Sequence, residues 1–352
     1  MLRGRAGRSG QEWSDRRRRP CPHGRLWSRT DMGGMPAEVA DMKIGVVFPG
    51  QGSQEAGMGK EMASAFPAAA ELLALGETAT GIPLREMCFD APLDALTRTE
   101  VCQPCVFAVG LLCWAVCEPI LQRHEVLLAG HSLGEYTALT AAGVFAPADA
   151  FRLVQRRAAA MEQASSLVAG GMLAVLGRSE DEVRQMTSGH PGVFVANLNA
   201  PEQVIVAGAA QPLDAFAAEM RAQRVRIVPL KVSGPFHTPL MAPAAKELAM
   251  ALDRTPIATA RMTVYANCSG LPQTRPDEIR DNLLRQLVSP VRWVDIVQRM
   301  TEAGVGLFVE LGPKQVLCGL ISKIVPDIPC LSVNGPASFD ALREFLAEGA
   351  RC

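Results

Sequence analysis

Lys43–Phe48 reads KIGVVF, a short apolar run rich in β-branched residues, and such a run predicts a buried strand. It ends in Pro49-Gly50-Gln51-Gly52-Ser53, where two glycines let the backbone pass close to another group. Apolar positions at helical spacing follow from Gly59 to Leu75 and from Gln103 to Cys117. Val126–Ala129 is a second buried strand, and Leu133–Ala142 reads as a helix stopped by Gly143. Strands alternating with helices predict an α/β fold with a mainly parallel sheet.

Between Gly170 and Ser233 the rhythm changes. Met172–Leu176 predicts a strand, and Glu180–Thr187 a helix opened by Ser179 as its N-cap. Val193–Asn197 and Gln203–Ala207 form a hairpin around Asn199-Ala200-Pro201-Glu202, then Pro212–Ala222 is helical and Val225–Val232 a strand. The order βαββαβ is the ferredoxin-like arrangement, placed here as a small subdomain of residues 169–233 inserted in the larger domain. That larger domain takes residues 42–168 and 234–352. Its second part predicts a strand at Thr263–Ala266, helices at Pro276–Gln286 and Val294–Glu302, a strand at Gly306–Glu310 and a last helix from Phe339.

Composition changes this picture at the N-terminus. The chain has 352 residues, 48% hydrophobic and 20% charged, with a net charge of −1. Residues 1–41 carry nine arginines against five acids, which leaves a net −5 for the rest. With Arg16-Arg17-Arg18-Arg19 and little apolar periodicity, this leader cannot bury enough surface to fold. It is expected to be a disordered tail, a start-site artefact ahead of Met35 or Met42, or an organellar targeting segment, against which Glu12 and Asp15 weigh. A secretory h-region is missing and no long uncharged apolar run suggests a membrane span, so a cytoplasmic site of action is expected. The near-neutral charge gives no reason to expect nucleic acid.

Ten cysteines raise the question of metal or disulfides. Cys102-Gln103-Pro104-Cys105 is a C-x-x-C, but no second pair follows at zinc spacing. Cys105, Cys113 and Cys117 lie in CVFAVGLLCWAVC, where cysteine acts as a small buried hydrophobe. Core packing with reduced thiols is the expectation, with no metal site.

The candidate chemistry begins at Gly130-His131-Ser132-Leu133-Gly134, a G-x-S-x-G between a predicted strand and a predicted helix. That context suits a nucleophile elbow, although a serine that merely opens a helix has the same pattern. A serine hydroxyl needs a base to take its proton. Of five histidines, His23 lies in the leader, His131 diverges from its neighbour, and His124 and His190 sit in polar segments expected to be exposed. His237, in a Gly/Pro-rich loop after a strand, is left as the candidate base; the competing reading is an ordinary satisfied loop histidine.

Six motifs now occur in one order: FPGQGSQ at Phe48–Gln54, GHSLGEY at Gly130–Tyr136, QRRAAAM at Gln155–Met161, GPFHTPLM at Gly234–Met241, QLVSPVRW at Gln286–Trp293 and ELGPKQVL at Glu310–Leu317. Together, over Met42 to about Phe345, they resemble the malonyl-CoA:acyl-carrier-protein transacylase family of fatty-acid and polyketide synthesis. The resemblance implies a hydrolase-like α/β core with a ferredoxin-like insert. It implies that Ser132 takes the malonyl group from malonyl-CoA and passes it to acyl carrier protein by a ping-pong route. His237 would be general base and then acid, oriented by the backbone carbonyl of Gln286, with no acidic third member. Gln51 and Leu133 would donate backbone N–H groups to the oxyanion, and Arg157 would clamp the malonyl carboxylate. From residue type alone, Arg157 is a helix-surface arginine paired with Glu162. Arg156 would be the surface member of the pair. Phe236 would crowd an α-methyl group and so favour malonyl over methylmalonyl. No metal or bound cofactor is implied, and a monomer suits the family. The acidic carrier protein would meet a basic surface, for which Arg221, Arg224 and Lys231 are candidates. Rival readings are a serine esterase or thioesterase on the same scaffold, a polyketide-pathway trans-acting acyltransferase, and a catalytically dead docking module.

Overall fold

The computed structural model describes residues 42–349, so the leader lies outside the described residues. Ten strands are present among them: β1 (Lys43–Phe48), β2 (Val126–Gly130), β3 (Gly170–Leu176), β4 (Val193–Ala200), β5 (Gln203–Ala209), β6 (Arg226–Pro229), β7 (Val264–Tyr265), β8 (Pro272–Gln273), β9 (Val305–Leu311) and β10 (Cys330–Val333). Six form one sheet in the order β10-β9-β1-β2-β7-β8, parallel except for the β7–β8 pair. The other four form a separate antiparallel sheet, β4-β5-β3-β6.

The central strands have no polar side because both faces of the sheet are covered. Ile44, Val46 and Phe48 of β1 pack into one apolar cluster, while Val47, with Leu127 and Ala129 of β2, packs into another. Burial on both faces is what turns a parallel strand into a continuous apolar run instead of an alternating one. The register sets Phe48 opposite Gly130, so the turns that follow β1 and β2 lie side by side at one edge of the sheet.

Several helices differ from the sequence expectation, each for a local reason. The helix expected over 59–75 divides into Lys60–Ala65 and Pro67–Thr80. Phe66 takes an extended conformation (φ −127°, ψ 116°) because the ring of Pro67 disfavours helical geometry in the residue before it. The helix expected over 103–117 runs instead from Thr99 to Leu121, through Pro104 and Pro119. Proline costs a helix one hydrogen bond, but this helix is buried nearly all round, and packing outweighs the loss. It is the one helix among the described residues long and apolar enough to cross a membrane, and most of it is covered by the rest of the protein. The strand expected over 225–232 shortens to Arg226–Pro229, an exposed edge strand entered from Arg224 at positive φ. Helices Leu84–Asp90, Pro147–Leu167, Ala242–Leu252 and Val316–Ile324, with strands β8 and β10, are additions to the expectation.

Six described cysteines (Cys88, Cys102, Cys105, Cys113, Cys117 and Cys268) are buried and free. Burial pushes the Cys102 and Cys113 thiols up to about 12, so they stay protonated and pack as apolar groups. The expectation of reduced thiols is corrected at Cys318 and Cys330, which form a disulfide with Cα atoms 5.3 Å apart. Pairing of β10 beside β9 carries Cys330 under the helix Val316–Ile324.

Candidate active site

At the end of β2 the chain turns sharply through His131-Ser132-Leu133 into the helix Gly134–Ala141. Ser132 has φ 53°, in the left-handed region that costs a residue with a Cβ. The two flanking glycines are dictated by contact. A Cβ on Gly130 would overlap the backbone of Gly134, and one on Gly134 would overlap the carbonyl of Phe48. Asn267 ties the turn down, its Oδ1 accepting from Ser132 N at 2.6 Å and its Nδ2 donating to Gly130 O at 2.7 Å. Such over-determination lets a strained backbone persist, and the strain lifts Oγ clear of the turn.

His237 also sits at positive φ (59°) and is buried. Its Nε2 lies 2.8 Å from Ser132 Oγ and its Nδ1 2.8 Å from Gln286 O. A carbonyl oxygen only accepts, so Nδ1 carries the proton and Nε2 presents a lone pair to the serine hydroxyl. Burial, helped by the charge of nearby Arg157, lowers the His237 pKa to about 3, against the pull of the Gln286 carbonyl. The imidazole is therefore neutral at pH 7, the state a base requires.

Arg157 lies on the helix Pro147–Leu167, fully buried. Its Nη1 donates to Gln103 Oε1 at 2.6 Å, and its Nη2 donates to Ser132 Oγ and to Gln286 Oε1, both at 3.0 Å. Its Cζ stands 5.1 Å from the Tyr136 ring centroid, and its Nε has no partner among the described residues. Surface pairing with Glu162 is thereby overturned: one helical turn faces the core with Arg157, while Glu162 accepts from Ser233 Oγ at 3.1 Å. Arg156 beside it is exposed.

Gln51 stands in the turn after β1, and Gly50 beside it packs against the His131 carbonyl. Among the described residues, neither the Gln51 nor the Leu133 backbone N–H finds an acceptor within the protein. Phe236 is buried next to the base. Arg221, Arg224 and Lys231 are exposed on the small sheet's side. His190 departs from its expected exposure, since it is largely covered and pairs with Glu219 at 3.1 Å.

Three residues that the fold brings in were not among the sequence candidates. Gln103 sits inside an otherwise apolar helix, and Glu135 directly after the elbow glycine; a polar side chain within an apolar stretch is the signal that marks both. Asn267 follows a two-residue strand, and nothing local distinguishes it.

A serine at a strained strand-to-helix turn, with a neutral imidazole behind it and a buried cation beside it, is suited to forming and passing on an acyl ester. The chain belongs to the acyl transferase domain family, whose profile matches residues 46–328. Within that family it is 39% identical over 310 residues to the malonyl CoA-acyl carrier protein transacylase of Haemophilus influenzae, covering 86% of this chain and 99% of the relative. It is 36% identical to the protein of the same name from Bacillus subtilis, over 87% and 98% of the two chains. Among solved structures, an acyl-carrier-protein S-malonyltransferase from Bartonella henselae superposes with a TM-score of 0.83 at 33% identity, over 87% of this chain and all of the other. A type II PKS acyl-carrier protein in complex with its malonyl-transacylase matches at 0.81 and 34%, over 86% and 99%.

Proposed function

We propose that the protein moves a malonyl group from malonyl-CoA to the phosphopantetheine thiol of acyl carrier protein through a malonyl ester on Ser132. The observation that carries this reading is the buried Arg157 guanidinium, 3.0 Å from the serine oxygen, with only neutral hydrogen-bond partners. A β-carboxylate on an acyl group held at Ser132 gives this cation a partner with matching two-pronged geometry, and an acetyl group leaves it bare.

In the first half-reaction His237 Nε2 takes the Ser132 proton as Oγ attacks the thioester carbonyl. The developing oxyanion is met by the N–H groups of Gln51 and Leu133, a pair worth several kcal/mol in such sites. Collapse breaks the C–S bond, and the imidazolium returns its proton to the departing CoA thiolate. In the second half-reaction His237 deprotonates the carrier thiol, which attacks the ester and regenerates the serine. The backbone carbonyl of Gln286 steadies the imidazolium less than a carboxylate would, which suits a proton shuttled between two thiols. The scheme calls on no metal or bound cofactor, and Phe236 selects malonyl over methylmalonyl by bulk.

We read the four-stranded sheet with its two helices as a ferredoxin-like subdomain, residues 169–233, set into a hydrolase-like core of residues 42–168 and 234–352, of which 350–352 lie outside the described residues. The monomer acts in the cytoplasm on soluble substrates, meeting its acidic carrier protein through Arg221, Arg224 and Lys231. A polyketide-pathway acceptor is the second reading, favoured by the likeness to the PKS carrier-protein complex.

Intact mass spectrometry tests the proposal. Incubation with malonyl-CoA is expected to add one malonyl group at Ser132, and holo-carrier protein to remove it. Free malonate as the product would point to the esterase, and the absence of an adduct to a docking module. Ser132→Ala is expected to abolish the adduct; persistence of transfer would rule out this nucleophile. Loading rates on fatty-acid and polyketide carrier proteins separate the two acceptors.

A further inference from the structure

Glu135 lies fully buried on the helix behind the elbow, and three N–H groups converge on its carboxylate. Gln286 Nε2 at 2.7 Å and Asn267 N at 3.1 Å donate to Oε2, and Gln273 Nε2 donates to Oε1 at 2.7 Å. Every partner is a donor, so a protonated acid would find no oxygen to receive its hydrogen. Burial raises the Glu135 pKa against the pull of these donors and of the Arg157 charge, but the all-donor geometry is that of an ionised carboxylate.

That anion fixes the next link. Gln286 Nε2 donates to Glu135 and also to Ser132 O at 3.0 Å, while its Oε1 accepts from Arg157 Nη2. The opposite amide orientation would set oxygen against two acceptors and NH2 against a guanidinium, so only one orientation survives. Arg157 thus has its nearest buried counter-charge one amide away. The backbone oxygen of the same Gln286 holds His237.

We propose that Glu135 is the positioning residue of the carboxylate clamp: through the Gln286 amide it supplies the buried negative charge that keeps the Arg157 guanidinium aimed at the acyl group on Ser132. Glu135 touches no substrate; it acts by fixing what does. The role rests on the malonyl-transfer reading.

Two variants test it. Glu135→Gln removes the charge but sets an NH2 against Gln273 Nε2. The double variant E135Q/Q273E restores a donor facing an acceptor at that contact, and Asn282 Nδ2, which now donates to Gln273 Oε1 at 2.9 Å, keeps a carboxylate acceptor. The charge then stands one link further from Arg157. Ser132 loading from malonyl-CoA and from acetyl-CoA is measured by mass spectrometry on folded protein. In both variants malonyl loading is expected to slow by about tenfold or more, acetyl loading by less, so the malonyl preference drops. Should Glu135→Gln fail to fold, the double variant decides the matter. A folded variant that keeps the wild-type preference overturns the proposal, as does a double variant with full preference, because the charge would then not need to stand against the Gln286 amide. Wild-type protein that loads no malonyl would overturn the malonyl reading itself and this inference with it.

Discussion

At Ser132, His237 and Arg157 the same physical condition recurs: a polar group held away from water at a fixed distance from its neighbours. Arg157 shows what this costs and yields. A guanidinium without an anionic partner is expensive to bury, so a substrate that brings one is bound in preference. Arg157→Ala is expected to slow malonyl loading of Ser132 by about a hundredfold or more while acetyl loading stays level or rises; equal losses would refute the clamp. His237 carries a pH signature. Its native pKa of about 3 lies below the unfolded value near 6.5, so between these limits the unfolded chain binds the extra proton. Stability then falls as pH drops through 6.5 toward 3, by up to about 1.4 kcal/mol per unit from this group, and is unaffected by it above 6.5. His237→Asn is expected to flatten that slope in chemical denaturation across pH, and the acid limb of the wild-type loading rate should lie below the ordinary histidine range. From sequence, His237 emerged only by elimination and Arg157 only through a resemblance. Neither burial nor a neighbour 25 positions away is encoded in local pattern.

The elements show why some boundaries were legible and others were not. Strands β1 and β2 and the hairpin of β4 with β5 were foreseen in place, because β-branched runs bounded by glycine and proline are local signals. Ser179 caps the helix Glu180–Ser188 as expected, and Glu182 reaches back to it to complete a capping box. By contrast, Thr99–Leu121 continues through two prolines that local rules take as stops, since its surroundings repay the lost hydrogen bonds. The elbow joins an element to its chemistry. Gly134→Ala would drive a methyl group into the Phe48 carbonyl on the neighbouring strand, and the two backbones cannot separate without parting β1 from β2. A loss of more than about 3 kcal/mol is expected by denaturant unfolding, far beyond the small cost of a surface Gly→Ala exchange.

Across the whole molecule, five separated segments meet at one point: the turn after β1, the elbow after β2, the helix carrying Arg157, the loop of His237 and the helix ending beyond Gln286. The parallel order β9-β1-β2-β7 brings the first two together and carries Asn267 beneath them. A surface prediction belongs at this scale. Reversing charge at Arg221, Arg224 and Lys231 is expected to raise KM for carrier protein more than KM for malonyl-CoA, with added salt narrowing the difference; equal changes would place docking elsewhere. By itself the sequence determined the α/β alternation, the change of rhythm after Gly170, the G-x-S-x-G turn and the family, because periodicity and turn chemistry act over a few neighbouring residues. Only the tertiary structure decided that Ser132 is held at positive φ, that Arg157 faces inward, that Cys318 meets Cys330, and that Glu135, Gln286 and Asn267 form one buried network beneath the serine. Those outcomes depend on distances between residues far apart in the chain, and on the removal of water from around them, which packing alone provides.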